Sequence, residues 1–163
     1  MKIKFKKFDN NAKIPNKAYD KDFCYDVTAV SEEMIAPNVW KYGFGFGLQI
    51  ERGDEPLFVR QDKEMKLIDM SQSALNLSID LRPRSSVWKT GMVLSNCEGT
   101  IDEGYCNEIS AVFYHVNTEL PRYKVGNKIG QIKIGFTFPI EFVEVESFEK
   151  TERGLNGYGS SGK

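Results

Sequence analysis

The stretch LNLSIDLRPRSS, residues 75–86, decides how this chain is read. Leu75, Leu77, Ile79 and Leu81 alternate with Asn76, Ser78, Asp80 and Arg82. Alternation with period two sends successive side chains to opposite faces, so the segment is a half-buried strand with one apolar face. Pro83-Arg84-Ser85-Ser86 follows it. Ser85 or Ser86 suits the cap of a short helix, and Gly91 suits its end. A capped helix start offers free backbone N–H groups and a positive dipole end. With Arg84 and two hydroxyls added, it becomes an anion site suited to phosphate. Read alone, the same residues are a plain strand-to-helix cap with a surface arginine.

The same period recurs along the chain. Phe44, Phe46, Leu48 and Ile50 share one face, with Gly43, Gly45 and Gly47 between them. Glycines opposite an apolar face predict that something packs close to that backbone. Ile109, Ala111 and Phe113 form a further run, as do Ile132, Ile134, Phe136 and Phe138. Near the start, Ile3 and Phe5 alternate with lysines. No long stretch has helical period. Short strands without intervening helices predict an all-β fold, a jelly-roll-like barrel with one short helix. The 163 residues suit one domain. Residues 1–150 form its body, and 151–163 a glycine-rich arm. Residues 52–73 are charged and poorly periodic, which predicts a long surface insertion with a helical turn over 61–70. His115 reads as a packing or hydrogen-bonding residue, and Trp40 and Trp88 as core or subunit contacts.

Composition excludes several classes. A formal charge of −1 gives no general pull toward nucleic acid or an anionic membrane. No apolar run approaches the ~20 residues of a membrane helix. Cys24, Cys97 and Cys106 are an odd set, and His115 is the one histidine, so neither a disulfide framework nor a zinc site is expected. A reduced, cytoplasmic setting follows as the expectation.

Four more stretches bear on chemistry. NCEGTIDEGYCNE, residues 96–108, is a hairpin in which Asp102 follows Ile101; a carboxylate beside a buried position suits a general base. Tyr105 offers a flat wall to a sugar or base. Read alone, the segment is an ordinary hairpin whose aspartate makes a turn. DKDFCYDV, residues 20–27, brings Asp20, Asp22 and Asp26 together as a solvated acid cluster or a cation contact. VGNKIGQIKIG, residues 125–135, sets Gly126 and Gly130 about a strand start, with Gln131 as an amide donor. RGLNGYGSSGK closes the chain. Its glycines let backbone N–H groups wrap a phosphate chain, Arg153, Ser160 and Ser161 are anion donors, and Tyr158 can stack on a base at about 1–3 kcal/mol.

Taken in chain order, the five stretches resemble the motifs of the trimeric dUTPase family, from Asp22 to Gly162. The resemblance implies a jelly-roll subunit, a homotrimer with active sites at subunit contacts, Mg²⁺, and cleavage of dUTP to dUMP and pyrophosphate. That reaction keeps uracil out of DNA and supplies dUMP. Neither a membrane nor direct nucleic-acid binding is implied. By the likeness, Asp102 activates the water that attacks the α-phosphorus. Asn96 and the hairpin backbone through Gly99 hold uracil, and Tyr105 packs under the deoxyribose. Arg84, Ser85, Ser86 and Gln131 bind the phosphates, and Asp26 meets Mg²⁺ through water. Arg153, Tyr158, Gly159, Ser160 and Ser161 form a closing lid. The chain departs from the motifs at Cys24, where glycine is usual, at Cys106 and Asn107 for an Arg-Gly pair, and at Lys128 for arginine. Tyr158 replaces the commoner phenylalanine and Asn156 a glycine. Asparagine tolerates left-handed geometry better than most residues, so the turn can survive with Asn107 in the glycine's place. Two rivals remain. The dCTP deaminases share the fold and the Arg-Ser-Ser start, but carry a catalytic glutamate where Val112 stands. A non-catalytic nucleotide-binding homologue would not need Asp102.

Overall fold

The alternating segments pair antiparallel throughout the computed structural model, which describes residues 2–51, 57–61, 64–68, 76–138 and 140–156. In chain order the strands are β1 (Lys2–Lys7), β2 (Tyr25–Thr28), β3 (Ser31–Ala36), β4 (Val39–Gly43), β5 (Phe46–Glu51) and β6 (Leu57–Gln61). They continue with β7 (Glu64–Ile68), β8 (Asn76–Pro83), β9 (Met92–Leu94), β10 (Gly99–Ile101), β11 (Ser110–His115) and β12 (Lys128–Thr137). One four-stranded sheet runs β10-β8-β12-β2 and another β3-β4-β11-β9; β1 pairs with β5, and β6 with β7. Connections that jump between sheets make this the expected all-β, jelly-roll-like architecture. Among the described residues side chains and a few backbone bonds, such as Ile109 N–H to the Phe46 carbonyl, join the sheets, and no closed ring of ladder hydrogen bonds runs through them.

A single apolar cluster joins the sheets. Val27, Leu81 and Ile132 enter it from one, Tyr42, Leu94 and Phe113 from the other, and Phe44, Phe46 and Leu48 from β5 and the residues before it. Phe113 meets Tyr42 and Tyr123 edge-on, at ring-centroid separations of 5.9 and 5.7 Å. Each such fully buried ring contributes about 1.5–3 kcal/mol of transfer free energy. The glycines of the β5 region behave as their pattern predicts. A Cβ at Gly43 would meet the Glu108 carboxylate at 2.5 Å, and one at Gly47 the Asn107 carbonyl at 2.8 Å. Gly45, at φ +69°, donates its N–H to Glu108 Oε1 at 2.8 Å. Gly43 and Gly47 carry no side chain where Glu108 and Asn107 lie directly on the backbone, and at Gly45 the side chains of Asp9, Ala12 and Val30 fill that place.

Two expectations are corrected. The insertion holds a hairpin, not a helical turn: β6 and β7 pair from Leu57 opposite Ile68 to Gln61 opposite Glu64. Alternation is present there in Glu64-Met65-Lys66-Leu67, but charges dilute it. Second, the helix after β8 is a single 3-10 turn, Val87–Thr90, and Ser86 stands at its cap position without a capping side-chain bond. Gly91 ends it in the left-handed region, as expected. Trp40 packs on the core with the Arg122 guanidinium 3.4 Å above its ring, and Trp88 is 71% exposed. His115 serves structure, its Nε2 lying 3.0 Å from the Leu120 carbonyl oxygen.

The apolar face of β12 outruns the core. Ile132 is buried, Ile134 partly so, and Phe136 and Phe138 are exposed. Beyond them Ile140, Phe142, Val143, Val145 and Phe148 are also exposed, in a segment without regular structure. Beside it lies an apolar groove of about 530 Å³ walled by residues such as Phe5, Phe23, Leu48 and Phe136. Among the described residues no helix is long and apolar enough to cross a membrane.

Candidate active site

The β9–β10 hairpin forms a cleft with β11. Ser95 N–H donates to the Val112 carbonyl at 2.9 Å, carrying the chain off β9 into a tight turn at Asn96–Glu98. Cys97 occupies the left-handed region there, at φ +57°. Two contacts missed in the sequence pin the turn to β8: Glu98 pairs with Arg82, and Thr100 Oγ1 donates to Asp80 Oδ1 at 3.1 Å. The cleft, about 300 Å³, is lined by Asn96, Gly99, Asp102, Tyr105, Val112 and their neighbours. The Asn96 amide lies against Gly99, where a Cβ would meet Nδ2 at 2.9 Å. Tyr105 N–H donates to the Asp102 carbonyl at 2.9 Å, and its hydroxyl donates to the Glu108 carbonyl at 2.8 Å, so the ring is fixed at both ends. The exposed Asp102 carboxylate enters no hydrogen bond or ion pair among the described residues. An uncommitted carboxylate facing a wet cleft is chemically free to accept a proton.

The turn survives at Asn107 without left-handed backbone there. Asn107 Oδ1 instead accepts the Glu108 N–H at 2.8 Å, and that side-chain bond holds the turn.

A second cluster sits at one end of the β8-β12-β2 edge of the sheet. Asp26 is buried, with its backbone bridged to Asn16 on one side and paired with Gln131 on the other. Its Oδ1 lies 3.1 Å from Arg84 Nε and accepts from Gln131 Nε2 at 3.3 Å; its Oδ2 accepts from Lys128 Nζ at 3.0 Å. Burial pushes the Asp26 carboxyl up, but the bonds from Lys128 and Gln131 and the charges of Arg84 and Lys128 outweigh it and hold it below the usual range. Asp22 does not join this group: its carboxylate accepts the Tyr19 N–H at 3.0 Å in a separate turn.

The expected site residues thus fall into two groups. Asn96, Gly99, Asp102 and Tyr105 share the cleft. Asp26, Arg84 and Gln131 share the other cluster, and Ser85 and Ser86 follow Arg84 directly, leading into the 3-10 turn. Arg153 joins neither; it is exposed, and its Nε donates to the Asn156 carbonyl at 3.1 Å. Tyr158, Gly159, Ser160 and Ser161 lie outside the described residues.

A family model for dUTPase matches residues 60–162. The chain is 30% identical to the deoxyuridine 5'-triphosphate nucleotidohydrolase of Nautilia profundicola, with all of both chains covered. It is 32% identical to that of Helicobacter pylori, over 99% of this chain and 97% of the relative. This chain belongs to the dUTPase family. Among solved structures it resembles the Staphylococcus bacteriophage 80alpha dUTPase with dUPNHPP, at TM-score 0.73 and 21% identity over 99% of each chain. It also resembles the dUTPase from phage phi11 of S. aureus, at TM-score 0.64 and 17% identity over 93% of this chain and all of the other. Those likenesses carry the fold.

Membership of the dUTPase family implies a divalent cation. Among the described residues no three His, Cys, Asp or Glu side chains converge on one point. Asp26, the expected contact, has both oxygens engaged by two cations and an amide. Mg²⁺ needs near-octahedral oxygen ligands. This donor set does not fit a protein-held ion. Val112 lines the cleft, so no carboxylate stands at that position.

Proposed function

We propose that this chain hydrolyses dUTP to dUMP and pyrophosphate, with Asp102 as general base. The observation that carries the reading is the cleft in a chain of this family: a free carboxylate, a fixed aromatic ring and an amide all line one space. Asn96 and the hairpin backbone near Gly99 hydrogen-bond the uracil, and the Tyr105 ring packs on the deoxyribose. Asp102 takes a proton as the water oxygen bonds to the α-phosphorus and the bond to the departing pyrophosphate breaks. A positioned base of this kind is worth about 10²–10⁴ in rate. Arg84, Ser85, Ser86 and Gln131 bind the phosphates, and Arg153, Tyr158, Gly159, Ser160 and Ser161 close over them. Closure orients the phosphate for in-line attack and excludes bulk water. Mg²⁺ accompanies the triphosphate as its counter-ion; the steps above are those of the chain's own residues.

We further propose a homotrimer in which neighbouring copies complete each site. The two clusters are separate on one chain, and Arg153 reaches neither, which favours assembly from several copies. The exposed apolar arm carries Glu141, Glu144 and Glu146, while the groove is bordered by β1 with Lys2, Lys4 and Lys6. Apolar and charged features of the two are complementary.

Pyrophosphate release measured over dUTP, dTTP, dCTP and UTP tests the activity. Release from dUTP alone is expected. Ammonia from dCTP would assign the chain to the deaminases instead, and tight dUTP binding without turnover would make it a binding module.

A further inference from the structure

Lys128 and Gln131 are three residues apart on β12, so strict alternation would send them to opposite faces. Both nonetheless reach the Asp26 carboxylate. The β12–β2 register shifts between Lys128 and Gly130, and such a bulge re-aims the side chains that flank it. Ile129, inside the bulge, is fully buried and locks it in place. Pairing of β8 with β12 sets Pro83 opposite Gly130 and delivers Arg84 from the third strand. One carboxylate thus gathers a guanidinium, an ammonium and an amide from two further strands.

The donors are only partly used. Arg84 turns Nε inward, where that atom is buried and ion-paired but lacks good hydrogen-bond geometry, and its terminal nitrogens make no hydrogen bond among the described residues. The Lys128 side chain remains 40% exposed and Arg84 32%. Two cations and one anion leave the group with a charge of about +1. Placed side by side without Asp26, Arg84 and Lys128 would repel at short range.

We infer that Asp26 is a positioning residue that holds Arg84, Lys128 and Gln131 as one cradle for an oligophosphate, and that Lys128 is itself a phosphate-binding residue. This rests on the dUTP reading and deepens it. Asp26 then acts through the cations rather than through a metal. Those roles differ in sign and in metal dependence. Simple charge removal beside a polyanion would tighten binding. Loss of a contact to the ion's hydration would weaken binding only when Mg²⁺ is present. Loss of the anchor weakens binding with or without it.

The experiment measures inorganic tripolyphosphate binding to the full-length protein by calorimetry, in EDTA and in Mg²⁺, for wild type, Asp26→Asn, Lys128→Gln and Lys128→Arg. Asp26→Asn is expected to weaken binding about tenfold in EDTA. Lys128→Gln should do the same, Lys128→Arg should stay close to wild type, and the two losses should not add in the double variant. Unchanged or tighter binding by Asp26→Asn in EDTA overturns the positioning role. If that variant does not fold, as melting would reveal, Lys128→Gln decides: full affinity in EDTA overturns the cradle. Wild type that binds only with Mg²⁺ also overturns it and leaves the dUTP reading standing. Wild type that binds under neither condition removes the phosphate site, and with it the reading beneath.

Discussion

Gly99→Ala separates recognition from stability. Gly99 lies on β10 with an ordinary φ, so alanine is tolerated by the backbone. The new Cβ would stand 2.9 Å from Asn96 Nδ2, whereas ordinary contact begins at 3.4 Å. The amide must therefore retreat by about 0.5 Å, the difference of those distances. A hydrogen bond lengthened by that much from its usual 2.9–3.0 Å is largely lost. The net worth of such a bond is about 1 kcal/mol, or roughly fivefold in affinity. Because the obstructing atom ends a mobile side chain on the surface, the fold yields without cost. Reduced chain entropy in the unfolded state stabilises Gly→Ala variants by about 0.4–1 kcal/mol at compatible sites. The expectation is a KM for dUTP raised about fivefold, kcat nearly unchanged, and a melting temperature equal to or above wild type. Steady-state pyrophosphate release and a thermal scan on one preparation supply both numbers. An unaltered KM would remove the Asn96 amide from uracil recognition, and a falling melting temperature would refute the packing described at the turn.

Asp102→Asn should leave dUTP affinity within about twofold while kcat drops by about 10²–10⁴, read by equilibrium binding beside turnover; comparable losses in both would make Asp102 a binding group. Asp102→Asn chains refolded with chains lacking residues 151–163 should regain activity, with about a quarter of sites complete in a random mixture if the two parts come from different copies, and none if one copy supplies both. Gly45→Ala should cost about 2 kcal/mol and lower the melting temperature by about 4–8 °C, since its φ is +69° and the Cβ would stand 2.7 Å from that of Asp9. The Arg122 hydrogen bond holds the Glu32 carboxyl below its usual range, against the upward push of burial. A depressed folded pKa stabilises above the unfolded value, about 4.3, and the contribution fades as pH falls through the folded value. The melting-temperature gap between wild type and Glu32→Gln should thus be full at pH 6 and narrow toward pH 3; a constant gap would rule out the ion pair as its source.

Where burial is one-sided, period two was a sufficient guide. The β8 and β11 runs and the Phe44–Ile50 face all enter the core that their alternation indicated. Gly43 and Gly47 announced a close neighbour, but not that residues 107–108 would be that neighbour, because contact partners distant in sequence leave no local mark. The β6–β7 hairpin was hidden because the charges at Arg60, Glu64 and Lys66 break up the alternation that its pairing would otherwise show. Of the candidate site, the hairpin residues Asn96, Gly99, Asp102 and Tyr105 were legible as a group because they are contiguous. The Lys128 contact to Asp26 was not: it depends on a register shift, and a bulge changes which way a side chain points without changing the residues around it.

The glycines beside Phe44 and Phe46 have a bearing on mutational tolerance. They resist enlargement for unlike reasons: a carboxylate stands in the way at one, backbone handedness forbids it at the next, and a carbonyl blocks the third. All three adjoin the segment at the base of the β9–β10 hairpin. A random-mutagenesis screen scored on lost turnover should therefore collect hits along this stretch, whose backbone is bonded to Ile109 and Ser110 of the cleft lining.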